Sequence, residues 1–199
     1  MFKLFALALA LVAGAAHADD ALHTDLPLAY LEQTQSDARN QPLVIFLHGF
    51  GSNEEDLFGI KDALPSTWTY LSARAPMPVD PSGYRWFAKK PGEGDYDGET
   101  ADLQRSAQLI ENFVSKATAK YHTQSDRVFL VGFSQGAIMA YEVGLRKPAI
   151  VRGIAALSGS VLPVLKAELK PDESLNKLAI FIGHGTLDQA LPYLSLIHI

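Results

Sequence analysis

Arg127-Val128-Phe129-Leu130-Val131-Gly132-Phe133-Ser134-Gln135-Gly136-Ala137-Ile138-Met139-Ala140-Tyr141-Glu142-Val143 is the stretch on which the fold turns. Its first five residues, four of them apolar after Arg127, read as a buried strand. From Ala137 onward it reads as a helix. Between the two, Gly132-Phe133-Ser134-Gln135-Gly136 has the Gly-x-Ser-x-Gly form of a sharp strand-to-helix turn that lifts a serine hydroxyl above the sheet edge. Such a turn tolerates almost no side chain two residues to either side, which the glycines satisfy, and its serine must accept a strained backbone. The bare pattern is a weak signal by itself. The strand before it and the helix after it make it a nucleophile elbow, with Ser134 as the candidate nucleophile.

Outward from the elbow, apolar β-rich runs alternate with helical periods, which is the pattern of an α/β fold with a mostly parallel central sheet and helices on both faces. Strands are expected at 43–47, 69–73, 128–133, 153–157 and 178–182, nearly continuous in Val, Ile, Leu, Phe and Ala, as strands covered on both faces should be. Leu103, Ala107, Ile110, Val114, Ala117 and Tyr121 recur at spacings of three and four and give one helix an apolar face, with Asp102 suited to its first turn. A shorter helix is expected over 54–64 and another over 134–146, stopped before Pro148. Residues 76–98, rich in Pro, Gly and aromatics without a steady period, read as a long functional loop.

Four segments surround the elbow with chemistry. Leu47-His48-Gly49-Phe50-Gly51-Ser52 follows the first central strand, where glycines let backbone approach a substrate. An acyl-transfer site needs preorganised N–H donors for the oxyanion. One is expected from Gln135, after the nucleophile, and the other from Phe50 in this loop. His48 reads as a structural member of the turn rather than a base. Gly183-His184-Gly185-Thr186-Leu187-Asp188 follows the last clear strand. Asp188 comes after Ser134, as the acid of a Ser–Asp–His order should, whereas His184 precedes it and reads as structural. Gly83-Tyr84-Arg85-Trp86-Phe87 lies in the long loop, where Trp86 and Phe87 either wall an acyl pocket or pin the loop by packing. Ser158 and Ser160 lack an elbow and read as pocket edge or structure.

The ends of the chain are read separately. Lys3, the apolar run 4–12 and Ala16-His17-Ala18 compose a secretory signal over 1–18, with the mature chain starting at Asp19. Export to the periplasm or medium is therefore expected, without stable membrane insertion after cleavage. The final Leu194-Ser195-Leu196-Ile197-His198-Ile199 is what the codons CTG TCT CTT ATA CAC ATC encode, the transposon end used to fragment DNA for sequencing. Residues 194–199 are accordingly read as translated adapter. The 199-residue chain carries no cysteine and a formal charge of −5, so a disulfide framework and a thiol nucleophile are excluded. The acidic balance and the lack of any basic run argue against nucleic acid.

Taken together, Leu47-His48-Gly49-Phe50-Gly51, Trp86-Phe87, Gly132-Phe133-Ser134-Gln135-Gly136, Ala156-Leu157-Ser158-Gly159 and His184-Gly185-Thr186-Leu187-Asp188 resemble the phospholipase/carboxylesterase branch of the α/β-hydrolases, which includes the acyl-protein thioesterases. The resemblance covers about residues 40 to 193. It implies one α/β-hydrolase domain over 19–193 and a hydrolase of small-molecule acyl esters or thioesters, with no metal and no cofactor. It further implies Ser134 as nucleophile, Asp188 as its acid partner, and Phe50 with Gln135 as oxyanion donors. In that family the catalytic histidine follows the aspartate by about thirty residues, after a further strand and near the start of a final helix. Here only eleven residues follow Asp188, and their one histidine, His198, lies in the suspected adapter. The last strand and helix are therefore expected to be missing. The alternatives to a carboxylesterase are a thioesterase or lysophospholipase, and a catalytically inert binding protein of the same fold.

Overall fold

In the computed structural model, which describes residues 17–35, 39–91, 97–170 and 172–186, the strands are β1 (His17–His23), β2 (Tyr30–Thr34), β3 (Leu43–Leu47), β4 (Thr69–Ala73), β5 (Met77–Pro78), β6 (Tyr84–Arg85), β7 (Val128–Phe133), β8 (Gly153–Leu157) and β9 (Ala179–Gly183). The α-helices among them are α1 (Thr100–Lys120), α2 (Gln135–Arg146) and α3 (Pro163–Glu168). Seven strands form one sheet in the order β1-β2-β4-β3-β7-β8-β9, and β5 with β6 makes a small separate ribbon. β4, β3, β7, β8 and β9 run parallel, while β2 is antiparallel to both β1 and β4. Parallel neighbours require crossovers: a 3-10 segment at 58–63 joins β3 to β4, α1 lies on the return from β4 to β7, α2 joins β7 to β8, and α3 lies between β8 and β9.

The pleat sorts each apolar run into two cores. Ile45 and Leu130 are register partners, as are Leu130 and Ile154, and they join the large cluster that contains Ile110, Phe113, Ile138 and Tyr141 of α1 and α2. The alternate residues Val44, Phe46, Phe129 and Val131 face the other way and pack with Tyr70, Leu57 and Phe58. The period read in α1 is met: Leu103, Ala107, Ile110, Val114, Ala117 and Tyr121 are all buried. Full burial of Ile110 and Phe113 alone is worth about 2–3 kcal/mol each. At the far end of α1, Lys120 Nζ donates to Tyr30 Oη (2.6 Å) and Asp25 Oδ2 (3.0 Å), tying the helix C-terminus to β2.

Several boundaries differ from expectation for identifiable reasons. Instead of an α-helix over 54–64 there is a 3-10 helix at Phe58–Ala63. Asn53 Oδ1 accepts the Glu55 N–H (2.9 Å) and turns the chain there, and the Glu54 side chain is drawn away to Arg74. The last strand starts one residue later than expected, at Ala179. The 76–98 loop contains the β5–β6 ribbon, bridged to the preceding turn at Ser52↔Tyr84. Cover on the two sheet faces is unequal among the described residues. The three α-helices contribute to the larger core, whereas the 3-10 helix lies on the opposite face. On that face an apolar groove of about 330 Å³ runs over Phe129, Val131, Ala155 and Phe181, and Phe181 is 62% exposed.

β1 begins at His17, two residues ahead of the expected mature N-terminus at Asp19. The remainder of the expected signal, residues 1–16, lies outside the described residues, as do Asp188, His198 and the 194–199 tail. No helix among the described residues is long and apolar enough to cross a membrane.

Candidate active site

Ser134 ends the run of β7 with φ 51° and ψ −115°, a backbone that a non-glycine residue holds only when its surroundings impose it. The imposition is visible. Ser134 N donates to Leu157 O of β8 (2.9 Å), while Ser134 O accepts the Ile138 N–H (3.1 Å) that starts the α2 ladder. A methyl on Gly132 would lie 2.2 Å from Gly136 O, and one on Gly136 would lie 1.9 Å from Leu47 O. Both positions must be glycine for α2 to start where it does. The strand, elbow and helix read from the sequence are therefore one rigid unit at the carboxyl edge of the sheet.

The turn after β3 comes up beside it. A methyl on Gly49 would stand 3.4 Å from Ser134 Cβ and 3.0 Å from Phe133 Cδ1, so the backbone of this turn passes directly against the serine. Within the turn Gly51 N donates to Tyr84 O (2.9 Å) and Ser52 N to Gly49 O (3.3 Å). Those two amides are committed to bonds that hold the turn, and the amide of Phe50, the expected oxyanion donor, is in neither of them. The Phe50 side chain is 55% exposed, and with Phe133 it gives the mouth of the site an apolar rim. Gln135 opens α2, at the end where helix N–H groups lack intrahelical partners and the dipole favours negative charge.

His48 has the structural place expected of it. Its Nε2 accepts the Ala75 N–H (3.0 Å), so Nδ1 carries the proton and donates to Gly49 O (2.7 Å). Burial lowers the imidazole below its ordinary range, and the neutral ring acts as a peg inside the turn. Trp86 and Phe87 correct one of the two sequence readings. Both are fully buried, so neither walls an acyl pocket; they pin the loop. The Trp86 indole N–H donates to His48 O (2.8 Å), and Gln135 Oε1 accepts from Trp86 N (3.1 Å) while its Nε2 donates to Phe87 O (2.9 Å). Ala88 N donates to Asp102 Oδ2 (3.0 Å) and Ala88 O accepts from Glu99 N (2.9 Å), which seats the segment on the first turn of α1.

Sequence reasoning missed the Glu54–Arg74 pair. Arg74 Nε and Nη2 donate to the two Glu54 oxygens (2.7 and 2.5 Å), and the guanidinium lies 4.7 Å from the Tyr84 ring centroid. No local pattern links a glutamate in a turn to an arginine twenty residues later. Burial alone would raise the Glu54 carboxyl, but the bonded guanidinium outweighs it and holds the group below the ordinary carboxylate range. Glu54→Gln is expected to cost about 1–3 kcal/mol near neutral pH, less than a fully buried pair because Arg74 is partly exposed. A lowered carboxyl stabilises the fold above its unfolded value and loses that stabilisation as pH falls through its folded one. The gap between wild type and variant, followed by thermal unfolding, should therefore close on acidification below the ordinary carboxylate range. A constant gap would contradict the assignment.

β7, β8 and β9 are parallel, so Ser134 and the His184–Thr186 segment leave the sheet at the same edge. Ser158 N donates to Gly183 O (2.8 Å), joining the small-residue turn after β8 to the end of β9. Among the described residues no group of three or more His, Asp or Glu is arranged to hold a metal ion. The arrangement offers a half-buried serine hydroxyl, a backbone turn against it and a helix N-terminus beneath it.

Comparisons with known proteins agree with this fold. A family model described as Phospholipase/Carboxylesterase matches residues 29–197. Acyl-protein thioesterase 1 of Neurospora crassa is 30% identical over 174 residues, covering 78% of this chain and 70% of that protein. The putative hydrolase MhqD of Bacillus subtilis is 30% identical over 146 residues, covering 73% of this chain and 69% of the relative. Among solved structures, esterase PE8 superposes with a TM-score of 0.68 at 29% identity, covering 84% of this chain and 79% of its own. The Bacillus cereus carboxylesterase shares the fold with a TM-score of 0.72 at 22% identity, covering 86% of this chain and 76% of its own.

Proposed function

We propose that this chain, which belongs to the phospholipase/carboxylesterase family of α/β-hydrolases, is an exported serine hydrolase that cleaves carboxylic esters through an acyl-enzyme on Ser134. The observation that carries the reading is the strained Ser134 backbone with the Gly49–Phe50 turn pressed against it. Ser134 Oγ attacks the acyl carbonyl and its proton passes to a histidine, while the carbonyl oxygen, now an anion, is met by Phe50 N–H and Gln135 N–H. Collapse expels the alcohol, which takes the proton from the imidazolium. Water then attacks the acyl-serine by the same route, regenerating the hydroxyl and releasing the acid. Asp188 would orient the histidine and stabilise its charge. The acyl-protein thioesterase of Neurospora supports a thioester as the second substrate class, since only the leaving group differs.

In this reading the histidine follows Asp188, as the Ser–Asp–His order of the fold requires, and His48 is no candidate because its acceptor nitrogen is occupied. Two sources compete: His198, and a segment encoded beyond Tyr193. A fluorophosphonate probe applied to residues 19–199 and, in parallel, to the re-sequenced gene product is expected to label the first weakly and the second strongly, since a serine without its base is a weak nucleophile. Strong labelling of residues 19–199, abolished by His198→Ala, would make His198 the base and the tail native. A gene product that never labels would favour the inert binding protein.

Export is part of the same proposal, supported by Lys3, the apolar run 4–12 and Ala16-His17-Ala18. The intact mass of the protein recovered outside the cytoplasm is expected to start at Asp19. Recovery with Met1 still attached would instead indicate an uncleaved anchor. Cleavage after Ala18 removes two residues from the edge of β1, whose pairing with β2 continues from Asp19↔Glu32.

A further inference from the structure

We infer that Trp86 and the side chain of Gln135 are positioning residues, which fasten both candidate oxyanion donors to one strut and so set the distance between them. The inference rests on the serine-hydrolase reading above. One donor, Phe50 N–H, sits on the turn whose His48 carbonyl accepts the Trp86 indole N–H (2.8 Å). The other, Gln135 N–H, belongs to the residue whose carboxamide is bonded at both ends to the backbone of Trp86 and Phe87 (3.1 and 2.9 Å). Gln135 is 1% exposed and Trp86 not at all, so these bonds are made without competition from water.

The strut itself does not float. The Ser106 hydroxyl donates to Trp86 O, and Ala88 is held at both its amide and its carbonyl by the first turn of α1. The Tyr84 backbone reaches the other end of the turn by accepting from Gly51 N (2.9 Å) and donating to Ser52 O (2.7 Å). Residues 48–52 are thereby gripped at His48, Gly51 and Ser52, with Phe50 between the grips. An oxyanion site works only if its donors already stand where charge will develop, and misplacement by a fraction of an ångström weakens both hydrogen bonds. Neither side chain meets substrate. Their effect would fall on the transition state and not on substrate binding.

The test uses Trp86→Phe, which deletes the indole N–H, and Gln135→Met, which keeps length but deletes both carboxamide bonds. In the form of the enzyme that hydrolyses p-nitrophenyl esters, each variant should lose about tenfold to a hundredfold in kcat with KM changed less than about threefold. The double variant should lose less than the product of the two, because both cut one circuit. Hydrogen exchange followed by mass spectrometry supplies a readout independent of activity. Peptides over 48–52 should exchange faster in both variants while β7 and α2 beyond its first turn stay protected. Unchanged exchange at 48–52, a rise in KM with kcat intact, or uniform loss of protection across the sheet would each overturn the inference. Ser134→Ala separates the two claims: persistent hydrolysis in that variant sinks the serine mechanism, while the exchange data still judge the strut.

Discussion

Ser134→Ala is expected to remove ester hydrolysis from the active form of the protein, with a fall in kcat of at least about a thousandfold and toward the millionfold typical of a lost triad nucleophile. In the proposed mechanism the Ser134 oxygen forms the bond to the acyl carbon, and no neighbouring serine is placed to replace it. Ser158 shares a positive φ of 48°, but its N–H is tied to Gly183 O and it opens no helix. Alanine keeps the strained backbone, so the unfolding midpoint should hardly move. Ser134→Gly makes the contrast informative. It should be as inactive as the alanine variant yet more stable by about 1 kcal/mol, because glycine relieves the positive φ. Retention of a tenth of the activity by Ser134→Ala would refute the assignment, and a glycine variant no more stable than alanine would refute the strain.

Gly136→Ala should cost at least about 3 kcal/mol of stability. The new carbon would lie 1.9 Å from Leu47 O, 2.5 Å from Leu47 C and 2.7 Å from His48 O. All three are backbone atoms at the end of β3, so no side-chain rotation relieves the clash. Either α2 lifts from the sheet or the turn carrying Phe50 moves, and each would disable the site as well as weaken the core. Gly59→Ala is the control, since a methyl there meets nothing within 4 Å. Denaturant unfolding of both variants decides the matter. A Gly136→Ala protein within about 1 kcal/mol of wild type would mean that α2 does not sit on β3 as described.

Much of this architecture was legible in the residues themselves. The strands at Leu43–Leu47, Thr69–Ala73, Val128–Phe133 and Gly153–Leu157 have the bounds their composition predicts. The buried face of α1 is the one its period names. Such features depend on interactions between residues a few positions apart, so composition and spacing encode them directly. The elbow was legible for the same reason, as its strand, glycines and helix are contiguous. At 54–64 the same local logic failed, because Glu54 is claimed by Arg74 across the fold and a helical reading of its neighbours could not register that.

The sequence by itself determined that there is an elbow, that Ser134 is at its tip, and that a glycine-bearing turn follows an apolar strand upstream. Only the tertiary structure decided that this turn lies against Ser134, since β3 and β7 must be neighbours in the sheet for it to do so. It also decided that Trp86 and Phe87 are buried in the loop's foundation rather than lining its mouth. Aromatic composition is the same for either place, and what separates them is an indole N–H reaching His48 O and a carboxamide reaching the 86–87 backbone. Those bonds end on main-chain atoms, which every residue possesses. A contact to backbone leaves no mark on the identity of the partner, so no pattern of residue types could have foretold it.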